Sequence, residues 1–464
     1  MKGLLFYGGM IVAAVVLFLL IRSVGEGLPA PAGPALALPI SSGPAIDTLF
    51  HALMSLAVIV VTARAVGGLF SLIGQPAVIG EVVGGIMLGP SLLGKVSPAL
   101  YAQVLPPAVT PFLNVYAQLG VILYLFLVGL ELDLGVIRKA GHTTVAISHA
   151  SIILPFVLGS ALALMIYPRL SSSDVPFTVF ALFLGVSLSV TAFPVLARIL
   201  TDRKIAKTPM GAIALTCAAI DDVTAWCLLA LVVSISHARV ADAVRTVILT
   251  IAFVFVVLQV VAPLVRRLMP SLDRMENLTR TEVTILLAAM LASAMTTEYI
   301  GVHGFFGAFL FGAIIPHRSR IATEMNRRLE DFVAVLFLPA FFAFTGMRMQ
   351  IGLLSGWESW ILCGVITLVA CVGKFGGTLL ASRWTGLPWR DSAALGILMN
   401  TRGLVELIVL NMGLDLGVIS PKLFAMLVLM ALVTTFMTTP ILQLLLRNHP
   451  WTERVPVPNR SVRL

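Results

Sequence analysis

Two adjacent aspartates lie in the middle of a long apolar stretch. Asp221 and Asp222 occur in AIDDVTAW (219–226), with LTCA before this segment and CLLALVV after it. A carboxylate at the centre of a membrane-spanning helix costs roughly 2.5–3.5 kcal/mol on insertion scales, and such residues usually serve ion or proton pathways. A carboxyl group that binds either H⁺ or a metal cation, and is reached from each side in turn, would exchange the two ions. The alternative is a pair of protonated, hydrogen-bonded acids that holds helices together.

Lys374 is a positive charge in another apolar run. It occurs in VACVGKFGGTLLA, near the middle of a predicted span and close to glycines that allow helices to approach each other. We expect an ion pair between Lys374 and Asp221 that is broken or re-formed during a transport cycle. The alternative is a lysine that extends to the membrane surface, although Lys374 is far from both ends of its span.

The segment SLSVTAFPVLARIL (187–200) is predicted to be an interrupted helix. Pro194 removes one backbone hydrogen bond, and Ser189 and Thr191 offer hydroxyl oxygens. The ends of unwound helices carry partial charges that can interact with ions near the middle of the membrane.

The segment GILMNTRGLVELIVLN (396–411) is a second predicted interruption. Asn400 and Thr401 interrupt its apolar run, and Arg402 and Glu406 are spaced i, i+4. The latter two residues either pair on one helix face or serve in gating or in compensating a helix dipole.

Glu81 is a further carboxylate, near the start of a short span in QPAVIGEVVGGIMLGP. We expect an interfacial carboxylate there, and we keep Glu81 and Glu406 as secondary candidates for the ion path.

The cysteines and histidines indicate neither a metal site nor a disulfide framework. The four cysteines lie inside apolar spans without metal-ligand spacing, and the seven histidines are scattered. We therefore expect no cofactor, no catalytic residues and no metal ion beyond a transported cation.

The composition is that of a polytopic membrane protein. Charged residues make up 11% of the chain and hydrophobic residues 59%, with a mean hydropathy of +1.02, whereas soluble domains carry roughly 25% charged residues. The apolar runs do not alternate with polar residues as barrel strands do, so an all-α fold is predicted. The predicted spans, about fourteen, are 4–21, 47–66, 78–94, 115–134, 143–167, 176–200, 208–236, 244–266, 280–297, 302–316, 331–348, 359–382, 392–414 and 421–446.

Lysine and arginine residues predict the orientation of these spans. They cluster in every second connection, which by the positive-inside rule is the cytoplasmic side. Both termini are then cytoplasmic if the first span is retained, and the net charge of +9 reflects topology and not nucleic-acid binding. The clusters are Arg138 and Lys139; Arg203, Lys204 and Lys207; Arg266, Arg267, Arg274 and Arg280; Arg318, Arg320, Arg327 and Arg328; Arg383 and Arg390; and Arg447, Arg454, Arg460 and Arg463.

The two ends of the chain lie outside the main membrane domain. Residues 1–22 form an extra N-terminal helix, either a retained signal anchor or a cleaved signal peptide. A Pro/Gly/Ala-rich linker follows at 23–46, and a short tail is predicted at 447–464.

A faint internal repeat divides residues 47–446. FLVGLELDLGVI (126–137) resembles AFTGMRMQIGLL (343–354), and GEVVGGIMLGP (80–90) resembles GFFGAFLFGAIIP (304–316). The matched helices are seven predicted spans apart, so they cross the membrane in opposite directions. Such inverted repeats are typical of secondary transporters. We expect repeats at about 47–236 and 280–446, joined by a linker helix at 244–266.

These segments together resemble the second monovalent cation:proton antiporter family. QPAVIGEVVGGIMLGPSLLG, LGVILYLFLVGLELDL, SVTAFPVLARIL, AIDDVTAW, the VGK around Lys374 and LMNTRGLVELIVLN follow one another as in the bacterial NapA and Kef proteins and the plant cation/H⁺ exchangers. The resemblance covers spans two to fourteen.

This resemblance implies an NhaA-like fold of thirteen helices, in which two discontinuous helices cross in a core domain beside a dimerisation domain. It implies that Asp222 carries the cation and the proton, and that Asp221 pairs with Lys374. The crossing segments would be those around Thr191 and from Asn400 to Gly403. The extra first span makes fourteen helices. The nucleotide-binding domain of Kef proteins has no room after the last span, so we expect no gating by such a domain in cis.

The sequence thus predicts a Na⁺ or K⁺:proton antiporter and not an enzyme, a homodimer in a bacterial inner membrane. The alternatives are a symporter or organic-anion carrier on the same fold, in which Lys374 would serve an anion, and a channel-like or sensory membrane protein.

Overall fold

The computed structural model describes residues 2–28, 48–131, 141–172, 175–203, 205–206, 208–236, 240–272, 278–316 and 319–446. Within these ranges the chain is helical apart from turns and connecting segments, and no strand occurs there. The all-α prediction is confirmed for this part of the chain.

The first half of the chain folds into long helices, two short helices and one helix that is interrupted. These are α1 (Lys2–Gly25), α2 (Thr48–Leu72), α3 (Ala77–Leu88), α4 (Leu93–Val96), α5 (Pro98–Val104), α6 (Thr110–Glu131), α7 (His142–Leu170), α8 (Phe177–Ser189), α9 (Phe193–Asp202) and α10 (Pro209–Ser236).

The second half also consists mainly of long helices and contains one interrupted helix. In addition, a single π-helical turn lies inside each of two long helices. Its helices are α11 (Val240–Val256) and α12 (Ala262–Leu272), joined by the π turn Val257–Val261; α13 (Arg280–Ile300); α14 (Gly304–Ile314); α15 (Arg320–Phe332) and α16 (Leu338–Arg348), joined by the π turn Val333–Phe337; α17 (Trp357–Trp384); α18 (Trp389–Met399); α19 (Leu404–Asp415); and α20 (Pro421–Leu446).

Each predicted span has an apolar helix in the described part of the chain. Ten helical stretches are long and apolar enough to cross a membrane, and α18 with α19, bent by 42°, adds an eleventh. The shorter apolar helices Gly9–Gly25, α8 and α14 occupy the three remaining predicted positions.

Two helix boundaries differ from the predicted ones. Helix α1 continues to Gly25, three residues past the predicted boundary at 22. The span predicted at 78–94 corresponds to the apolar stretch that ends at Val96, but within it helix α3 ends at Leu88, because Gly89 is extended and Pro90 follows it. The remaining linker, residues 29–47, and the tail 447–464 lie outside the described residues.

The helices pack in two groups. Helices α7 to α10 and α17 to α20 contact one another and are called the core group here, and α1 packs on α7 and α8. Helices α2, α3, α6, α13, α14 and α16 contact one another and are called the scaffold group. The core group contains both interrupted helices and every predicted site residue except Glu81.

Glycines at matched positions of the similar sequence segments allow close helix contacts. A Cβ atom on Gly129 of α6 would meet the backbone of α14, and one on Gly346 of α16 would meet the backbone of Val82 and Ile86 in α3. The contacts α6 with α14 and α16 with α3 are therefore equivalent under the sequence repeat, which is the pattern that inverted repeats predict.

Candidate functional site

The two helix interruptions meet inside the core group. Between α8 and α9 the chain is extended at Val190–Ala192, and between α18 and α19 it is non-helical from Asn400 to Gly403. The backbone N–H of Ala192 donates to the carbonyl oxygen of Thr401 at 3.0 Å. Because each interruption exposes backbone groups that helices normally satisfy, this contact partly satisfies both.

Asp221 is surrounded by donors from three other helices or interruptions. Lys374 Nζ on α17 lies 2.9 Å from Asp221 Oδ2, and both side chains are fully buried. Ser148 Oγ on α7 donates to Oδ1 at 2.6 Å, and Ser151 Oγ donates to Oδ2 at 2.8 Å. Thr191 Oγ1, in the first interruption, is also 2.8 Å from Oδ2. Both carboxylate oxygens of Asp221 are thus occupied by protein groups.

Positive side chains contact the carboxyl-terminal end of α8. Lys374 Nζ donates to the carbonyl oxygen of Ser189 at 2.5 Å. The Arg402 guanidinium donates to the carbonyl oxygens of Ser187 at 2.9 Å and Leu188 at 2.7 Å. These carbonyls are the negative end of the α8 dipole, so both cations stabilise it.

Arg402 and Glu406 form a second buried ion pair. Arg402 Nη1 is 3.0 Å from Glu406 Oε1, and both side chains are fully buried. Glu406 is in the first turn of α19, where a negative charge is favourable. The sequence left open whether these residues pair or compensate a dipole, and the geometry contains both arrangements. The Thr435 hydroxyl contacts both the backbone N–H and the carbonyl oxygen of Arg402, at 3.0 and 2.6 Å.

Asp222 differs from Glu81, Asp221 and Glu406 because no arginine or lysine lies within 4.0 Å of it among the described residues. It is only 3% exposed, and its Oδ1 has no hydrogen-bond partner among the described residues. Consecutive residues of a helix point about 100° apart, so the Asp222 side chain points in a different direction from that of Asp221. Its carboxyl group faces the backbone amide of Phe193, at the positive amino-terminal end of α9.

Two predicted residues of the first interruption are placed differently from the expectation. The Ser189 hydroxyl donates to the carbonyls of Gly185 and Ile152, at 2.7 and 3.0 Å, so it is the Ser189 carbonyl that contacts the ion pair. Pro194 lies in the first turn of α9 and not within the interruption. Proline is well tolerated there because the first turn of a helix has no hydrogen-bond acceptor for its backbone nitrogen.

Two predicted residues of the second interruption contact neighbouring helices. Asn400 Nδ2 lies 3.5 Å from Cys371 Sγ on α17, while its Oδ1 has no partner among the described residues. Thr401 Oγ1 is 3.5 Å from Thr438 Oγ1 on α20. Neither side chain donates a hydrogen bond to Asp221 within the part of the chain that the structure describes.

Glu81, for which we expected an interfacial position, is buried within the protein. It is 5% exposed in the second turn of α3, and Arg64 Nη1 on α2 lies 3.7 Å from its Oε1. This distance is long for an ion pair, but it provides a positive partner. Glu81 belongs to the scaffold group, and Arg198 of α9 is a second positive side chain near it.

The sequence did not single out Ser148, Ser151 or Thr435. Ser148 and Ser151 are spaced i, i+3 and therefore share one face of α7, which was the available signal. Among the described residues, no group of three or more His, Cys, Asp or Glu side chains could hold a metal ion.

Two interrupted helices that cross beside buried charges are typical of secondary membrane transporters. The chain belongs to the sodium/hydrogen exchanger family, because the family's transmembrane domain model matches residues 56–447. It is 41% identical over 397 residues to the Na⁺/H⁺ antiporter NhaS4 of Synechocystis, covering 85% of this chain and 97% of that protein.

More distant relatives show the same match over part of their length. The chain is 40% identical to cation/H⁺ antiporter 17 of Arabidopsis thaliana, covering 90% of this chain and 51% of that protein. It is 37% identical to K⁺/H⁺ antiporter 1 of Saccharomyces cerevisiae, covering 81% of this chain and 42% of that protein. The chain therefore spans about half the length of these two relatives.

A solved structure confirms the predicted fold. The sodium/proton antiporter MjNhaP1 of Methanocaldococcus jannaschii superposes with a TM-score of 0.63 at 14% identity, covering 85% of this chain and 96% of that one. The NhaA-like architecture is thus shared, although the sequences have diverged widely.

Proposed function

We propose that this protein exchanges a monovalent cation, Na⁺ or K⁺, for protons by alternating access, with the two ions competing for Asp222. The observation that supports the proposal is the pairing of the buried carboxylates. Glu81, Asp221 and Glu406 each have an arginine or lysine within 4.0 Å. Asp222 has no such partner among the described residues, so one negative charge remains to be neutralised by a mobile ion.

The residues around Asp222 have separate roles in the proposed exchange. The Asp221–Lys374 and Arg402–Glu406 pairs are neutral units that fix the crossing segments. Asp222 lies beside the amino-terminal end of α9, whose backbone N–H groups are oriented toward its carboxyl group. Because either ion neutralises the same charge, the occupied site crosses the membrane at similar electrostatic cost in both directions of the cycle.

The relatives support the class of reaction, and their names include both Na⁺ and K⁺. We therefore include both ions in the proposal. We further propose that residues 47–236 and 280–446 are inverted repeats joined by a linker helix at 244–266. The protein is proposed to be a homodimer in a bacterial inner membrane, with its arginine-rich connections and both termini cytoplasmic if the first span is retained.

The test is a transport assay on the purified full chain in proteoliposomes that contain a pH-sensitive dye. Imposing a Na⁺ or K⁺ gradient should move protons in the opposite direction, and lowering the pH should raise the cation concentration needed for half-maximal exchange. Asp222→Asn should abolish exchange while the protein remains folded. Glu358→Gln, which changes an exposed carboxylate in the first turn of α17, is the matched control and should retain exchange.

Other outcomes would contradict the proposal. Full exchange by Asp222→Asn would exclude this residue as the carrier. Cation flux without proton movement would indicate a channel, and proton movement in the same direction as the solute would indicate a symporter.

A further inference from the structure

We infer that Trp226, packed against Phe309, forms the barrier that separates Asp222 from one side of the membrane. This inference deepens the proposed function, since it concerns access to the same carboxylate. Trp226 is the last residue of the AIDDVTAW segment, and none of the roles assigned above uses it.

Trp226 and Asp222 occupy one face of α10. They are spaced i, i+4, which places them one above the other about 6 Å apart along the helix axis. Both are only 3% exposed. The ring centroid of Trp226 lies 6.3 Å from that of Phe309 on α14. This aromatic contact therefore joins the core group to the scaffold group directly beside the proposed carrier.

Each of these two residues of α10 has an unsatisfied polar atom. Trp226 Nε1 and Asp222 Oδ1 are both buried without a hydrogen-bond partner among the described residues. Leaving a buried donor or acceptor unpaired costs about 1–3 kcal/mol. Two such atoms one turn apart on one helix face indicate a surface that is hydrated in another state of the protein.

A small cavity lies one helical turn along α14 from the aromatic contact. Its volume is about 20 Å³, and apolar side chains that include Phe305 line it together with the polar residues Asn114, Gln118, Asn411 and Asp415. Phe305 is one helical turn from Phe309 on α14. A volume of this size is sufficient to hold a water molecule beside polar partners.

The cavity is on the Trp226 side of Asp222. His303, which also lines the cavity, is in the connection between α13 and α14. Gly301 at the same end of α13 lies beside Thr246 of α11, the helix that follows the carboxyl-terminal end of α10. The carboxyl-terminal half of α10, which contains Trp226, is therefore directed toward the cavity.

This arrangement gives a simple path for ions. The cavity comes first, the Trp226–Phe309 contact second and Asp222 third. A hydrated cation cannot pass two packed aromatic rings, so passage requires α10 to separate from α14. That separation is a movement of the core group relative to the scaffold group, and it would hydrate the indole N–H and the free carboxylate oxygen together.

The experiment measures access to position 222 directly. Asp222→Cys is introduced in the full chain after replacement of Cys217, Cys227, Cys363 and Cys371, and a cationic, membrane-impermeant methanethiosulfonate reagent is added from either side of sealed vesicles. From the side of His303, Trp226→Ala should raise the modification rate at least about tenfold, and Trp226→Phe should stay within about threefold of the parent, because a ring still fills the contact. The rate from the opposite side should not change.

Two further variants control the experiment. Trp360→Ala removes a half-exposed tryptophan of α17 and should leave both rates unchanged. Phe309→Ala opens the same contact from the scaffold side, so it tests the barrier even if Trp226→Ala does not fold. Unchanged access from the His303 side in folded Trp226→Ala or Phe309→Ala protein would overturn the inference. Because cysteine modification requires no transport, this result is independent of whether Asp222 carries the ion.

Discussion

Lys374 and Asp221 are 153 residues apart in the sequence, and their side chains form a fully buried ion pair of 2.9 Å. The pair connects α17 to α10 at the point where the two interrupted helices cross. Hydroxyl groups of Ser148, Ser151 and Thr191 occupy the remaining positions on the carboxylate. Asp221 is thereby fixed by its neighbours, and its adjacent residue on α10 is the carboxylate that remains available.

Lys374→Gln should destabilise the protein strongly. Removing one partner of a buried ion pair leaves the other charge uncompensated, which typically costs 3–5 kcal/mol. We expect a lower midpoint of thermal unfolding in detergent and weakened or uncoupled exchange. Asp221→Asn combined with Lys374→Gln should recover part of the stability, because no unpaired charge then remains. An unchanged unfolding midpoint and an unchanged cation and pH profile in Lys374→Gln would contradict a role for this pair.

Thr191→Val tests the hydroxyl that links the two interruptions. Thr191 Oγ1 is within hydrogen-bond distance of Asp221 Oδ2 and of the Met399 carbonyl, at 2.8 and 3.2 Å. Valine keeps the shape but leaves these acceptors with one donor fewer, at a cost of about 1–3 kcal/mol. We expect a lower unfolding midpoint and slower exchange. Thr367→Val is the matched control, since the Thr367 hydroxyl contacts the carbonyl of Cys363 one turn earlier in its own helix; an equal loss in both variants would exclude a special role for Thr191.

The charged part of the site could be predicted from the sequence because buried charges are rare in apolar spans. Asp221, Asp222 and Lys374 stand out without knowledge of their neighbours. Pro194 and Asn400 likewise predicted that two helices are interrupted, although the first interruption precedes the proline because proline starts α9 more readily than it continues a helix.

The neutral part of the site could not be predicted in the same way. Serine is common in membrane helices, and the importance of Ser148 and Ser151 depends on a carboxylate that lies 73 and 70 residues further along the chain. The burial of Glu81 depends on how α3 packs on α2 and on the position of Arg64. Such facts arise from tertiary contacts, which local patterns do not contain.

Arg402→Lys should impair function although it preserves the positive charge. The guanidinium donates to the carbonyls of Ser187 and Leu188 and to Glu406 at the same time. A lysine ammonium is a compact group and cannot reproduce this planar arrangement of donors. We expect slower exchange and a lower unfolding midpoint. Wild-type stability and exchange in Arg402→Lys would show that only the charge is needed, and a comparison with Glu406→Gln would then measure the contribution of the ion pair alone.

Gly346→Ala tests the close contact of α16 with α3 without changing any polar group. A Cβ atom at this position would meet the backbone of Val82 and would lie 2.9 Å from the amide nitrogen of Ile86. Since both obstacles are backbone atoms, the helices must move apart, and such overpacking typically costs 1–3 kcal/mol. The matched control is Gly364→Ala in α17, where no atom lies within 4 Å of the added Cβ and where alanine should be neutral or stabilise by about 0.5–1 kcal/mol.

Gly129→Ala should behave like Gly346→Ala, because Gly129 makes the equivalent contact with α14. If one of these two variants were destabilised and the other were not, the two halves of the membrane domain would not depend on equivalent helix contacts, and the argument for inverted repeats would lose this support.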